Sequence, residues 1–159
     1  MLDFVREMRA GEEAAVDALL TAAFEGEAEA RLVRALRKAR VMAGEMVLPK
    51  GDGIVGYYAL SWMVKPKHWL ALAPVAVAPE HQGQGLGKRM MGQLTEWARL
   101  THSTVVVLGQ PEFYRAGGFS SERAARLTSP YPVEYMLLVG PGTDAPKAEL
   151  VYPKAFEGV

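Results

Sequence analysis

Residues 75–88 read Val-Ala-Val-Ala-Pro-Glu-His-Gln-Gly-Gln-Gly-Leu-Gly-Lys, and this stretch decides the fold. The apolar run Leu70-Ala-Leu-Ala-Pro-Val-Ala-Val predicts a buried strand that ends inside it. The amphipathic segment from about residue 86 to residue 100 predicts a helix. Three glycines, Gly83, Gly85 and Gly87, lie between the two. The stretch is therefore typical of a strand, a short spacer, a glycine loop and the start of a helix.

The glycine loop is suited to binding an anion. The first N–H groups of a helix have no partner inside it, and residues 82–85 contain no Ser, Thr, Asp or Asn that could cap them. Glycines let the backbone approach a phosphate closely, and the helix dipole favours negative charge there. Lys88 adds a positive side chain in the first turn. The alternative is that the glycines only form a tight turn, and a short glycine motif alone does not decide between the two.

Two familiar nucleotide-binding motifs do not fit this spacing. A P-loop has four residues between its first glycine and Gly-Lys-Ser/Thr, but Gly83 is one residue too close to Gly87, and Arg89 follows the lysine. A dinucleotide fingerprint needs GxGxxG directly after a strand and an acidic residue about 20 positions later. Here the pattern is GxGxG, and valines occupy positions 105–107. The sequence therefore argues against both sites.

The pattern Gln-x-x-Gly-x-Gly after a Val-x-Val-x-Pro strand end resembles the acetyl-coenzyme A signature of the GNAT N-acetyltransferase superfamily. The resemblance implies that the loop holds the coenzyme A pyrophosphate and that the strand end holds the pantetheine arm. The implied pyrophosphate residues are Gln82, Gly83, Gln84, Gly85, Leu86, Gly87 and Lys88. The implied pantetheine residues are Val75, Ala76 and Val77.

A second motif follows at residues 108–119, Leu-Gly-Gln-Pro-Glu-Phe-Tyr-Arg-Ala-Gly-Gly-Phe. It predicts a short helix that ends in glycines, as helix C-termini often do. Taken alone, its aromatics could be packing residues, but the segment resembles the GNAT Phe-Tyr-x-x-x-Gly-Phe motif in order and place. With Val-Tyr-Pro-Lys-Ala-Phe at residues 151–156, it looks most like the bacterial YhbS-like branch. A departure is the pair Ala116-Gly117, where members often carry bulkier residues.

The remaining pattern predicts an α+β (mixed α/β) fold in one domain over residues 1–159. A short strand at residues 3–9 precedes a helix from Gly11, and a second helix follows Gly26. Strands at residues 45–48, 54–63 and 69–77 predict an antiparallel meander. A strand at residues 103–108 predicts a parallel partner for the last of these, and residues 134–139 and 119–122 predict a further pair. The GNAT resemblance implies a mostly antiparallel mixed sheet of about six to seven strands flanked by helices, with a splayed parallel pair at the cofactor.

Composition narrows the classes of function. The 159 residues carry 18 basic and 18 acidic side chains, so no overall field would recruit nucleic acid or an anionic membrane. Cysteine is absent, which excludes disulfides and a cysteine nucleophile. The three histidines do not show metal-ligand spacing. With no export signal or apolar span in the sequence, we expect a soluble cytoplasmic protein. The oligomeric state is open, with a homodimer among the assemblies allowed.

The resemblance implies an acetyl-CoA-dependent N-acetyltransferase that transfers the acetyl group directly to a small-molecule or peptide amine. It implies Tyr114 as the proton donor to the leaving thiolate, and a backbone N–H such as that of Val77 can polarise the thioester carbonyl. Glu80, Glu112, Glu29 or a water relay could accept the amine proton. The resemblance also implies that the two predicted N-terminal helices form a wall of the acceptor site. Glu27 and Glu29 are therefore candidate substrate contacts, although a solvated charged face is the simpler interpretation. A non-catalytic acyl-CoA sensor and a structural interaction protein are the alternatives.

Overall fold

The structure, a computed structural model, describes residues 4–158. Six strands form one sheet whose spatial order follows the chain. They are β1 (Arg6–Glu7), β2 (Met42–Lys50), β3 (Gly53–Trp62), β4 (Leu70–Val77), β5 (Val105–Leu108) and β6 (Met136–Val139). The helices are α1 (Glu13–Phe24), α2 (Ala28–Lys38), α3 (Leu86–Thr101) and α4 (Pro111–Ala116). The predicted α+β class, with a mixed and mostly antiparallel sheet, is confirmed.

Strands β2, β3 and β4 form the predicted antiparallel meander. The hairpin between β2 and β3 turns at Gly51, whose φ of 60° lies in the left-handed region that glycine adopts without strain. The β3–β4 register shifts between Tyr58 and Leu60, opposite the part of β4 that contains Pro74, a residue with no N–H to donate. The meander therefore has one register shift in the β3–β4 ladder and two in the β2–β3 ladder, and it places the start of β4 beside β5.

Strands β4 and β5 are the predicted parallel pair, and they separate after only two paired positions. Leu70 pairs with Val105 and Ala71 with Val106, whereas the rest of β4 pairs only with β3. Strand β5 continues instead along β6, from Val105 opposite Val139 to Leu108 opposite Met136. The predicted splay is therefore confirmed, and it opens towards the carboxyl ends of both strands.

Helix α3 covers the sheet with a face that is centred on Leu94. Its buried residues are Leu86, Met90, Met91, Leu94, Thr95 and Ala98. Helical periodicity predicts Trp97 on this face as well, but Trp97 is 41% exposed because it lies at the edge of the buried arc near the end of the helix. This prediction was wrong for Trp97, although the helix itself begins at residue 86 as predicted.

Several boundaries differ from the sequence interpretation, beginning with the first strand, which forms only over Arg6–Glu7. Helix α1 begins at Glu13 rather than at Gly11, whose φ of 96° is not helical. No strand forms over residues 119–122, where the structure has a single bridge from Ser120 to Leu138 and then a 3₁₀ turn, Glu122–Ala124. Glu134 likewise lies in a 3₁₀ turn, Val133–Tyr135, that follows Pro132. Part of the first predicted strand, residue 3, lies outside the described residues.

Candidate active site

The splay leaves the outer edge of β4 facing a gap. Val77 lies opposite Gly56 and Ala76 opposite Tyr57, and the N–H of Ala78 donates to the carbonyl of Val55 at 2.8 Å. Because hydrogen-bonded pairs alternate along an antiparallel ladder, Ala76 also bonds to β3, whereas the N–H groups of Val75 and Val77 point away from it. Two backbone donors of β4 therefore face the gap.

The glycine loop closes one end of the gap. Gly83 and Gly85 have φ values of 79° and 80°, and a Cβ at either would meet no atom within 4 Å. These glycines are thus required by backbone conformation rather than by crowding. Gly85 caps α3 without any side-chain hydrogen bond, which leaves the first N–H groups of the helix directed into the loop. The side-chain amide of Gln82 donates to the carbonyl of Val77 at 3.0 Å and ties the loop to the strand end.

A cavity of about 470 Å³, here called the loop cavity, lies against this loop. Its lining residues are Val75, Ala76, Val77, His81, Gln82, Gly83, Gly85, Leu86, Gly87, Lys88, Phe113 and Tyr114. Nine of the ten predicted cofactor-binding residues are in this lining. Gln84 is the exception, since its side chain is exposed at the tip of the loop. Leu86 is only 2% exposed and packs into the core, so its backbone N–H is the group that it can offer.

Tyr114 stands on α4 and is held from three sides. Its ring packs edge-on against Phe113 at 4.9 Å and Phe119 at 5.8 Å between centroids. A Cβ at Gly109 would lie 2.6 Å from the ring, so only glycine lets Tyr114 approach the backbone beyond β5. Burial raises the pKa of Tyr114 to about 12. The phenol is therefore protonated at neutral pH and can act as a hydrogen-bond or proton donor.

The glycines after α4 explain the departure noted in the second motif. A Cβ at Gly117 would collide with the Cβ of Met91 on α3. Gly118 has a φ of 112°, and the hydroxyl of Thr95 donates to the carbonyl of Gly117 at 2.8 Å. A larger residue at position 117 would push α4 away from α3 and would move Tyr114 with it.

A second cavity of about 390 Å³, here called the aromatic cavity, opens on the other side of Tyr114. Its lining residues are Phe24, Glu29, Leu32, Ala71, Leu72, Ala73, Pro74, Val75, Val106, Leu108, Tyr114, Tyr131, Tyr152 and Phe156. Val75 and Tyr114 line both cavities. The two spaces therefore meet at the splay, beside a backbone N–H and the partly buried phenol of Tyr114.

The aromatic cavity uses residues that sequence reasoning missed. The aromatics concentrated in the meander, Tyr57, Tyr58, Trp62 and Trp69, predict one or two residues of an acceptor pocket, but none of them lines this cavity. Tyr57 and Tyr58 are buried in the sheet core instead. The cavity takes its aromatics from α1 and from the segments that follow β5. The signal that could have found them is the aromatic content of residues 131–156, because aromatics in a loop-like tail need something to pack against.

The candidate acidic residues fall in different places. Glu29 is half-buried in the first turn of α2 and lines the aromatic cavity. Glu27 is exposed and pairs with Arg31 at 3.8 Å on the solvent side of the same helix. Glu80 and Glu112 are exposed and line neither cavity. Of the three nominal bases, the structure thus brings only Glu29 to the site.

Within residues 4–158, no group of three His, Asp or Glu side chains is arranged to hold a metal ion. His81 lines the loop cavity, whereas His68 and His102 lie in left-handed turns with φ values of 71° and 56°. None of the helices in this range is both long and apolar enough to cross a membrane.

Comparison with known proteins identifies similar chains. The sequence model of the acetyltransferase (GNAT) family matches residues 13–119. The uncharacterized N-acetyltransferase YhbS of Escherichia coli strain K12 is 34% identical over 109 residues. That alignment covers 65% of this chain and 65% of the relative, so the chain spans slightly less than two thirds of the curated relative's length.

Two solved structures are similar over nearly the whole chain. The crystal structure of a GNAT family N-acetyltransferase (YhbS) from Escherichia coli in complex with CoA has a TM-score of 0.83 at 25% identity, covering 97% of this chain and 91% of that one. A GNAT family acetyltransferase from Brucella melitensis in complex with acetyl-CoA has a TM-score of 0.80 at 25% identity, covering 98% of each chain.

Proposed function

The chain belongs to the acetyltransferase (GNAT) family, and from that premise we propose that it is an acetyl-CoA-dependent N-acetyltransferase that acts on a primary amine. The observation that carries the proposal is the meeting of the loop cavity and the aromatic cavity at Val75 and Tyr114. A donor in one cavity and an acceptor in the other would have their reacting ends at the same place. The relatives crystallised with CoA and acetyl-CoA support the assignment of the donor.

The loop fits a pyrophosphate by its own geometry. The uncapped N–H groups at the start of α3 and the open space around Gly83 and Gly85 leave room for an anion beside the backbone. We propose that residues 82–88 hold the pyrophosphate, with Lys88 supplying positive charge. Gln84 contributes at most its backbone, because its side chain lies outside the cavity.

The strand end fits an extended amide-bearing chain. The N–H groups of Val75 and Val77 face the gap, so a pantetheine arm would pair with β4 as an added strand. Ala76 lines the cavity between them, but its hydrogen bonds go to Tyr57 on β3. We propose that the two valines carry the polar contacts and that Ala76 keeps this wall narrow.

Acetyl-CoA would supply an activated thioester, and the protein's task is to position the acceptor and to stabilise charge. We propose that the N–H of Val77 or Val75 donates to the carbonyl oxygen as negative charge develops. We propose that the Tyr114 hydroxyl protonates the departing sulfur. The bound ammonium would first lose a proton to water, and the neutral amine would then attack the carbonyl carbon, which requires no nucleophilic side chain. The C–S bond breaks as the C–N bond forms, and the second proton that the nitrogen loses restores the one given up by Tyr114.

The proposal is tested by measuring free thiol release from acetyl-CoA across amines, polyamines, amino acids and lysine peptides. We expect release that depends on the acceptor, with mass spectrometry detecting the acetylated amine. Calorimetry measures acetyl-CoA binding separately, because a non-catalytic sensor would bind acetyl-CoA without releasing its thiol. Tight binding without thiol release for any acceptor would favour the sensor and would contradict the transferase.

A further inference from the structure

The aromatic cavity carries one charge on a lining that is otherwise uncharged and mostly apolar. Of its fourteen described lining residues, Glu29 is the single charged side chain, and the rest are aromatic or aliphatic. No lysine, arginine or histidine is among the described residues that line it. A carboxylate facing an apolar space favours a ligand with a positive group, since burying either charge alone is unfavourable.

Glu29 is available for such a ligand. Neighbouring acidic residues already have partners: Glu27 pairs with Arg31, and Asp17 pairs with Arg34 at 2.7 Å. Glu29 makes no side-chain hydrogen bond or ion pair with any described residue of the chain. Its place in the first turn of α2 keeps negative charge favourable there through the helix dipole.

The apolar part of the lining determines what the uncharged part of the ligand can be. Tyr152 packs at 5.1 Å from Tyr131 and 5.3 Å from Phe156 between ring centroids, so these three rings support each other as one wall. Burial raises the pKa of Tyr152 to about 12, so this wall is uncharged at neutral pH. The volume of about 390 Å³ lies within the range of roughly 300–1,000 Å³ that is usual for small-molecule sites.

We propose that the acceptor is a small primary amine with an aromatic or branched apolar body and without a carboxylate beside the amine, and that Glu29 binds its ammonium group. The inference rests on the proposed function and names the substrate class of the same site. A free amino acid is disfavoured because its carboxylate would enter an apolar space that already contains Glu29. A polyamine is disfavoured because its additional charges would find no second acidic partner among the described lining residues.

The test uses 2-phenylethylamine, phenylalanine amide, phenylalanine and spermidine as probes. Acetyl transfer is measured by thiol release, and amine binding is measured separately by calorimetry on protein saturated with CoA. We expect 2-phenylethylamine and phenylalanine amide to bind and to be acetylated, with kcat/KM roughly 10-fold or more above that for phenylalanine and spermidine.

Glu29→Gln and Glu27→Gln form a matched pair at the start of α2, because each removes one carboxylate, Glu29 from the first turn and Glu27 from the residue that precedes the helix. Glu29→Gln should raise KM for 2-phenylethylamine roughly 10- to 100-fold with a smaller change in kcat, as expected for a lost hydrogen bond to a charged group. Glu27→Gln, which is exposed outside the cavity, should change KM less than about 2-fold. Acetyl-CoA affinity should be the same in both variants.

The outcomes separate this inference from the proposed function. A preference for spermidine, phenylalanine or a lysine peptide, or an unchanged KM in Glu29→Gln, would overturn the acceptor class while leaving the transferase in place. Binding of 2-phenylethylamine that Glu29→Gln weakens, without thiol release from any probe, would support the acceptor site and overturn the transferase. Absence of both binding and turnover of the aromatic amines would overturn the inference.

Discussion

At the scale of single residues, the role of Tyr114 can be separated from its packing. Its phenol is protonated at neutral pH, since burial raises its pKa to about 12. If the hydroxyl protonates the thiolate, Tyr114→Phe should lower kcat by roughly 10²- to 10⁴-fold, with little change in acetyl-CoA affinity. The ring, and hence its contacts with Phe113 and Phe119, is retained in the variant. Steady-state kinetics with calorimetry would measure both effects.

Two other results would change this interpretation. Wild-type turnover in Tyr114→Phe would make the tyrosine a packing residue only. A parallel loss of turnover and of acetyl-CoA affinity would make it a residue that positions the donor, which its place between the two cavities also allows.

The glycine loop gives a second prediction at this scale. Gly85→Val should abolish measurable acetyl-CoA binding, because the positive φ at this position strains any β-branched residue and would reshape the loop. The strain should reduce the free energy of unfolding by only about 1–2 kcal/mol. Gly87→Val should also abolish acetyl-CoA binding, but through crowding rather than backbone strain, since a Cβ there would lie 2.9 Å from the Phe113 ring.

Gly92→Ala is the matched control for the loop variants. Gly92 lies on the exposed face of α3, has ordinary helical φ and would place its Cβ in open space. The substitution should leave acetyl-CoA affinity unchanged and stabilise the helix by up to about 1 kcal/mol. Calorimetry and urea unfolding would measure both quantities. An unchanged affinity in folded Gly85→Val protein would remove the loop from the site.

At the scale of elements, α2 is fixed to the sheet by a partly buried ionic network. Arg37 donates to both oxygens of Glu45 on β2, with a closest distance of 2.8 Å, and the hydroxyl of Tyr57 on β3 donates to the same carboxylate at 2.7 Å. Burial and then the bond to Glu45 raise the pKa of Tyr57 well above its usual range. The charge pattern of residues 27–38 predicts a solvated face that includes Arg37, and that prediction is wrong for this residue, which is 22% exposed and paired with Glu45.

Removal of Arg37 tests the network. Arg37→Met should lower the free energy of unfolding by roughly 3 kcal/mol, since it leaves the Glu45 carboxylate, which is 11% exposed, without its ionic partner. Arg34→Met removes a more exposed pair with Asp17 from the same helix and should cost less than about 1 kcal/mol. Urea unfolding would compare the two variants. Equal losses would show that the buried pair contributes no more than the exposed one.

The junction of β1 and α1 gives a prediction about pH. Glu12 accepts from the Arg6 guanidinium at 2.7 Å and from the N–H of Arg9 at 2.7 Å, and these bonds lower its pKa from 4.5 to about 2. A folded pKa below the unfolded one means that the stabilisation is present above about pH 4.5 and is lost as the pH falls towards 2. Glu12→Gln should therefore flatten the stability profile in this window.

Thermal unfolding between pH 2 and pH 6 would measure this effect. Glu27→Gln, which removes an exposed carboxylate of α2, serves as the charge-matched control and should keep the wild-type profile. A Glu12→Gln profile as steep as that of the wild type would assign the acid sensitivity to other carboxylates.

At the scale of the whole molecule, the parts that sequence predicted are those set by local pattern. The meander, α3 and the glycine loop follow from alternation, helical periodicity and glycine conformation, each of which acts over a few residues. Residues 75–77 and the loop glycines come together because they are neighbours in the chain. The organisation of residues 1–159 as one domain stays a prediction.

The parts that sequence did not predict depend on contacts between distant segments. Glu29 and Phe156 meet at one cavity although they are 127 positions apart, and nothing in either local pattern indicates the other. The burial of Arg37 depends likewise on Glu45 and Tyr57, which lie on other elements. The strand predicted at residues 119–122 does not form, because so short a pattern is equally compatible with a single bridge followed by a turn.

The residues that line the aromatic cavity come from two parts of the chain, one inside the segment that matches the family and one beyond it. Tyr131, Tyr152 and Phe156 lie beyond residue 119, where the match to the family ends, and the isolated bridge from Lys65 to Val151 joins the chain beside Tyr152 to the segment that follows β3. Substitutions of these three rings need not disturb the glycine loop, because none of them lines the loop cavity. Two relatives that share one donor would then differ in the amines they accept, and exchanging the residues at positions 131, 152 and 156 between them should transfer the acceptor preference with the exchanged side chains.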